Sequence, residues 1–138
     1  MKNLLIIFIS IIISIIILWG CTPDSRQKFE FKVLPVESYI LPDSLKLGTT
    51  QTFKIRYKRP SNCHFFEGFY FEKNFNERTI GVSTSVLQEN CQPLSGVSLE
   101  VDLKFYTSSN EDYIFRFFKG KDVTGTNIFE SVTVPVKN

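Results

Sequence analysis

Val97-Ser98-Leu99-Glu100-Val101-Asp102-Leu103-Lys104-Phe105 alternates apolar and polar residues without a break. A period of two places every second side chain on the same side of an extended backbone, which is the mark of a strand with one face buried and one in water. The same period runs through Phe53-Lys54-Ile55-Arg56-Tyr57-Lys58, Ile80-Gly81-Val82-Ser83-Thr84-Ser85-Val86 and Phe29-Glu30-Phe31-Lys32-Val33. The apolar members of all four segments are expected to face the core. Three further runs, His64 to Glu72, Asp112 to Lys119 and Asn127 to Val136, have strand composition without clean alternation. Turn-forming clusters separate them, among them Arg59-Pro60-Ser61-Asn62, Asn74-Phe75-Asn76-Glu77 and the stretch from Gly120 to Gly125. The total is about seven strands.

Composition agrees with the pattern. Past the first 20 residues the chain holds thirteen Phe and five Tyr, with no Ala, Met or Trp, a bias toward side chains that suit pleated surfaces over helices. The expected fold is all-β, an antiparallel sandwich of about seven strands that resembles the immunoglobulin-like size class. Pro35 and Pro135 fall in the first and last strands, where a sheet edge tolerates proline. Tyr113 follows Glu111-Asp112 at the start of the sixth strand and looks like the tyrosine corner of such folds.

The N-terminus carries a different signal. Lys2 precedes an apolar run from Leu4 to Leu18, broken only by Ser10 and Ser14, and the run stops at Trp19-Gly20-Cys21. A charged start, a short apolar stretch and a small residue before a cleavage point define a secretory signal. Leu18, Gly20 and Cys21 resemble the lipobox of bacterial lipoproteins, with Trp19 departing from its usual small residue. The resemblance implies cleavage after Gly20 and a diacylglycerol thioether on Cys21. The competing reading is an uncleaved anchor helix, for which the run is short. Residues 1–20 are thus read as signal peptide, 21–28 as lipidated cysteine and tether, and 29–138 as the β-sandwich domain. Thr22 is not the aspartate that retains enteric lipoproteins in the inner membrane, so the resemblance implies an outer-membrane anchor. The mature chain carries fifteen basic and fourteen acidic side chains, a balance that selects neither nucleic acid nor anionic lipid as partner.

Lipidation of Cys21 leaves Cys63 and Cys91, expected to form a disulfide in an oxidising compartment. Zinc held by Cys63, His64 and Cys91 is disfavoured, because adjacent residues on a strand point to opposite faces. The same objection meets a Cys63 and His64 catalytic pair, and the chain has one histidine. No catalytic, cofactor-binding or metal residues are assigned. Glu100 and Asp102 are expected to pair with the row Lys54, Arg56 and Lys58 across strands, and Asp122 to Asn127 is read as an ordinary turn rather than a calcium loop.

Phe65-Phe66-Glu67-Gly68-Phe69-Tyr70-Phe71 puts rings on both sides of one strand. Either a bulge at Gly68 returns most of them to the core, or Phe66 and Tyr70 form an exposed surface for a protein or glycan partner. The segment Tyr57 to Phe66, with Cys91 and the Pro-Val ending, is similar to small bacterial lipoproteins with a single β-sandwich domain. That resemblance implies anchor, disulfide and fold, and no particular activity. The functional expectation is a non-enzymatic envelope module that binds another envelope protein. A glycan-binding accessory protein and, behind it, a small hydrolase are the alternatives.

Overall fold

The computed structural model describes residues 28–137, so the signal segment, Cys21 and nearly all of the tether lie outside the described residues. Ten strands follow in order: β1 (Phe29–Leu34), β2 (Ser38–Ile40), β3 (Leu45–Lys46), β4 (Thr50–Lys58), β5 (His64–Asn74), β6 (Glu77–Leu87), β7 (Ser98–Tyr106), β8 (Tyr113–Lys121), β9 (Asn127–Val134) and β10 (Val136–Lys137). The fold is all-β, with no helix among the described residues. Each of the seven expected segments is a long strand. The three short strands β2, β3 and β10 span two or three residues, too few for a periodic signal.

One sheet is β2, β4 and β7. The other is built around β6, which pairs with β5 along one edge. Its second edge is shared, by β1 beside Val82 to Leu87 and by β8 beside Glu77 to Ile80; β9 then extends the sheet from β8. At Leu34 the first strand ends and the chain crosses between sheets: the Val36 N–H donates to the Phe118 carbonyl, and the Glu37 N–H to that of Arg56. Two pairings, β6 with β8 and β10 with β3, run parallel where an antiparallel sandwich was expected. The reason for the first is connectivity, because the chain leaves β6, passes through β7 in the opposite sheet and re-enters alongside β6 in the same direction.

The core lies between the sheets. Phe53, Ile55 and Tyr57 from β4 meet Ile80 and Val82 from β6 and Tyr113, Phe115 and Phe117 from β8, all buried. Phe115 stands edge-on to Phe53 and Phe105 at centroid distances of 5.1 and 5.0 Å, the arrangement aromatic quadrupoles favour. Each large apolar side chain removed from water this way contributes about 1.5–3 kcal/mol. Tyr113 is buried too, and its hydroxyl accepts the backbone N–H groups of Ser108 and Ser109 at 3.2 and 3.0 Å. This is tyrosine-corner geometry, and it closes the turn between β7 and β8.

Cys63 and Cys91 are joined, with Cα atoms 5.5 Å apart. They tie the turn before β5 to the loop after β6. On the charged sheet, Lys54 meets Asp102 at 2.6 Å and Arg56 meets Glu100 at 3.2 Å, each pair being direct cross-strand neighbours. The Asp122 carboxylate accepts the N–H groups of Thr124 and Thr126, which makes its loop a self-capped turn.

One expectation is reversed. Phe29, Phe31 and Val33 lie opposite Leu87, Ser85 and Ser83 of β6 and point away from the core, with Phe31 74% exposed. Alternation in β1 separates two faces correctly, but the sheet register turns the apolar face outward and leaves Leu34 as the buried residue.

Candidate functional site

The outward face of the larger sheet is the site that the fold builds. Its centre is β6, where Thr79, Gly81, Ser83 and Ser85 alternate with the core residues. These are small, and apolar side chains from neighbouring strands stand around them: Phe31 and Val33 from β1, Phe65 and Tyr70 from β5, Phe118 from β8, Phe129 from β9. At Gly81 the approach is close. A Cβ there would sit 2.5 Å from Val33 Cγ1 and under 4 Å from the Cβ atoms of Phe118 and Tyr70. Glycine is thus required by packing, and Val33 lies directly over the backbone of β6.

Beside this contact a groove of about 660 Å³ opens. Val33, Tyr70, Phe118 and Phe129 give it apolar walls, and Lys32, Glu72, Lys121 and Asn127 add polar groups. The walls are held in place. Phe118 and Phe129 pack at 5.9 Å, and the Arg116 guanidinium sits 4.8 Å over the Phe129 ring, a cation–π arrangement. The Tyr70 hydroxyl donates to Glu72 at 3.0 Å, which raises the Tyr70 pKa above its ordinary value. A groove of this size and lining suits an apolar or aromatic group presented with a few polar ones.

Phe66 and Tyr70 are not brought together. The register shifts between Phe66 and Gly68, so Glu67 is the extra residue of a bulge and Gly68 takes φ 142°. One inserted residue reverses the face of everything beyond it. Phe66 turns inward, 6.2 Å from the Tyr57 ring and 5.5 Å from Phe69, while Tyr70 turns outward opposite Gly81. Both keep about two-fifths of their surface exposed, at 40% and 44%, because β5 is an edge strand.

His64 stands apart from the groove. Its Nδ1 lies 2.8 Å from the Ser61 hydroxyl, and that oxygen also accepts the Cys63 N–H at 3.2 Å. Burial pushes the His64 pKa below its usual value, helped by the positive charges of Lys32 and Arg59. The contact organises the turn that carries the disulfide. Among the described residues no three His, Cys, Asp or Glu side chains gather as a metal site would require.

Val33, Phe118 and Phe129 were not singled out from the sequence. The signal was present in Gly81, a glycine inside an alternating strand, since such a residue marks a close approach of neighbouring chain. Comparison of the chain with protein families, with curated proteins and with solved structures finds no match in any of the three.

Proposed function

We propose that this chain is a lipid-anchored protein of the bacterial cell envelope, held at Cys21 in the outer membrane, whose sandwich domain binds an envelope protein through its aromatic face. The reading is non-enzymatic. The domain is taken as immunoglobulin-like on two features, its seven long strands and the Tyr113 corner. The observation that carries the binding role is the groove of about 660 Å³ between Tyr70, Val33, Phe118 and Phe129. Its apolar walls are fixed by neighbours rather than collapsed into the core, and exposed apolar surface of this kind tends to mark contact with another molecule.

The test is crosslinking and capture of the anchored protein from its own envelope, comparing wild type with Tyr70→Ser/Phe118→Ser and with Lys104→Ser on the opposite sheet. A partner retained by wild type and Lys104→Ser and lost with the groove variant supports the reading. Equal recovery from all three sinks it. Glycan binding is the second reading, favoured by the aromatic walls standing near Glu72, Lys121 and Asn127. It predicts that peptidoglycan fragments compete with any captured partner and bind wild type but not the groove variant.

A further inference from the structure

We propose that the end of the aromatic face formed by Phe29, Phe31 and Phe65 rests on the lipid surface that holds the chain; this rests on the anchor reading above. The three rings form one patch. Phe31 and Phe65 are both paired with Ser85, from opposite edges of β6, and Phe29 lies two residues from Phe31 on the same face. They are 48%, 74% and 45% exposed for Phe29, Phe31 and Phe65 in turn, a large apolar surface in water.

The position of the patch relative to the anchor identifies what covers it. β1 is the strand that the tether feeds, and the Lys28 carbonyl accepts the Gln88 N–H at 3.0 Å, which fixes the point where the tether leaves the domain beside Phe29. From Cys21 to Phe29 is eight residues, a reach of at most about 28 Å. An uncleaved helix ending at Trp19 would lengthen this by only two residues. Either anchor delivers β1 from the membrane with its exposed rings first. Rings in that place gain by entering the boundary between headgroups and acyl chains, to a depth of about 5–10 Å.

Charge does not supply the attraction. Lys28, Lys32 and Arg59 are nearly offset by Glu30 and Glu67, leaving one net positive charge; Lys32 already lies 3.1 Å from Glu30, and Arg59 stands over the Phe65 ring. Contact is therefore mainly apolar and depends little on salt. The domain stands on this end, and β6 runs away from the bilayer for eleven residues from Leu87 back to Glu77, roughly 35 Å. The tip carrying Phe75, which is 95% exposed, is then the point farthest from lipid. The groove, nearer Thr79, stays open to a partner.

The experiment uses the full anchored chain in a Trp19→Phe background with one tryptophan introduced, Phe31→Trp, Phe29→Trp or Phe75→Trp. Each is reconstituted into phosphatidylethanolamine and phosphatidylglycerol vesicles whose acyl chains carry bromine at a shallow position. Flotation with the vesicles comes first. A chain that does not float removes the anchor reading and this placement together. Among chains that float, loss of most of the emission at positions 31 and 29, unchanged in high salt, with none at 75 supports the proposal. Equal emission with and without bromine at 31 and 29 overturns it and leaves the anchor standing. A blue shift there without quenching also overturns it, since it reports a protein or a second copy over the patch.

Discussion

On the outer side of β2, β4 and β7, Lys54 and Arg56 are matched to Asp102 and Glu100. On the outer side of the larger sheet, Phe31, Val33, Tyr70, Phe118 and Phe129 surround a line of small residues on β6. Both faces are built on strands of the same period, and both pack the same core. The difference lies in what alternates with the core residues. Long charged side chains cover their own strand and face water stably. Thr79, Gly81, Ser83 and Ser85 cover little, so rings from β1, β5, β8 and β9 close over them and remain partly exposed. A sandwich needs one core, and the second apolar layer here is surplus to it.

The covalent link belongs to the aromatic sheet alone, and breaking it gives the largest expected effect. Cys63→Ser/Cys91→Ser opens a loop with a sequence separation of 28 residues, which costs about 3.5 kcal/mol in the chain-entropy model. Urea melts of the two proteins measure it. A loss below about 1 kcal/mol would mean that β5 and β6 are held by packing and hydrogen bonds without the staple.

Gly81→Val tests the closeness of the aromatic layer directly. Its Cβ falls 2.5 Å from Val33 Cγ1, and overpacking of this kind costs about 1–3 kcal/mol. Val33→Ala in the same chain should recover most of that loss. On the other sheet Thr52→Val, at an exposed outward position, should stay within about 0.5 kcal/mol. If Gly81→Val is equally mild, β1 is free to move off β6, and the groove is not a fixed feature.

Much of this contrast was readable before the fold was known, and the unread part has one physical source. Alternation located four of the long strands and separated their faces, composition and turn signals located the other three, and the match of Lys54 and Arg56 to Glu100 and Asp102 followed from charge. Cysteine arithmetic found the disulfide. What period alone does not carry is which face meets the core, because that is set by register against other strands. Phe29-Glu30-Phe31-Lys32-Val33 shows this most plainly, with an apolar face that points outward. In β5, Gly68 advertised a bulge, yet the inserted Glu67 separated Phe66 from Tyr70, which spacing alone would have placed together. The groove assembles from β1, β5, β6, β8 and β9, so the one local hint of it was Gly81 inside an alternating strand.

Acid should act on the aromatic sheet first. His64 has a folded pKa below its unfolded value of about 6.5, held down by burial and by Lys32 and Arg59. The unfolded chain therefore binds the proton more readily. Stability from this group is complete above pH 6.5 and declines as pH falls from there to the folded pKa. On the charged sheet Asp102 pushes the Lys54 pKa up, away from this window. Thermal melts between pH of about 7.5 and 5 should show a falling Tm for wild type and a flatter line for His64→Gln. Parallel slopes would assign the acid sensitivity to carboxylates instead.

The smallest effect is expected from an ion pair on the charged face. Arg56 and Glu100 meet at 3.2 Å with side chains 58% and 39% exposed. Water screens such a pair, and holding two long side chains in one geometry costs entropy, so its coupling is about 0.5 kcal/mol. A double-mutant cycle of Arg56→Ala and Glu100→Ala should return that value at low salt and almost nothing at about 1 M salt, where the Debye length is about 3 Å. A coupling above about 2 kcal/mol would show that the pairs form a cooperative network with Lys54 and Asp102. The charged face would then be a structural layer in its own right, and the two sheets would differ in the kind of bonding that stiffens them rather than in whether they are stiffened. A small coupling leaves the charges as a solvated coat, replaceable one at a time, and confines specific shape on the molecule's outside to the aromatic face.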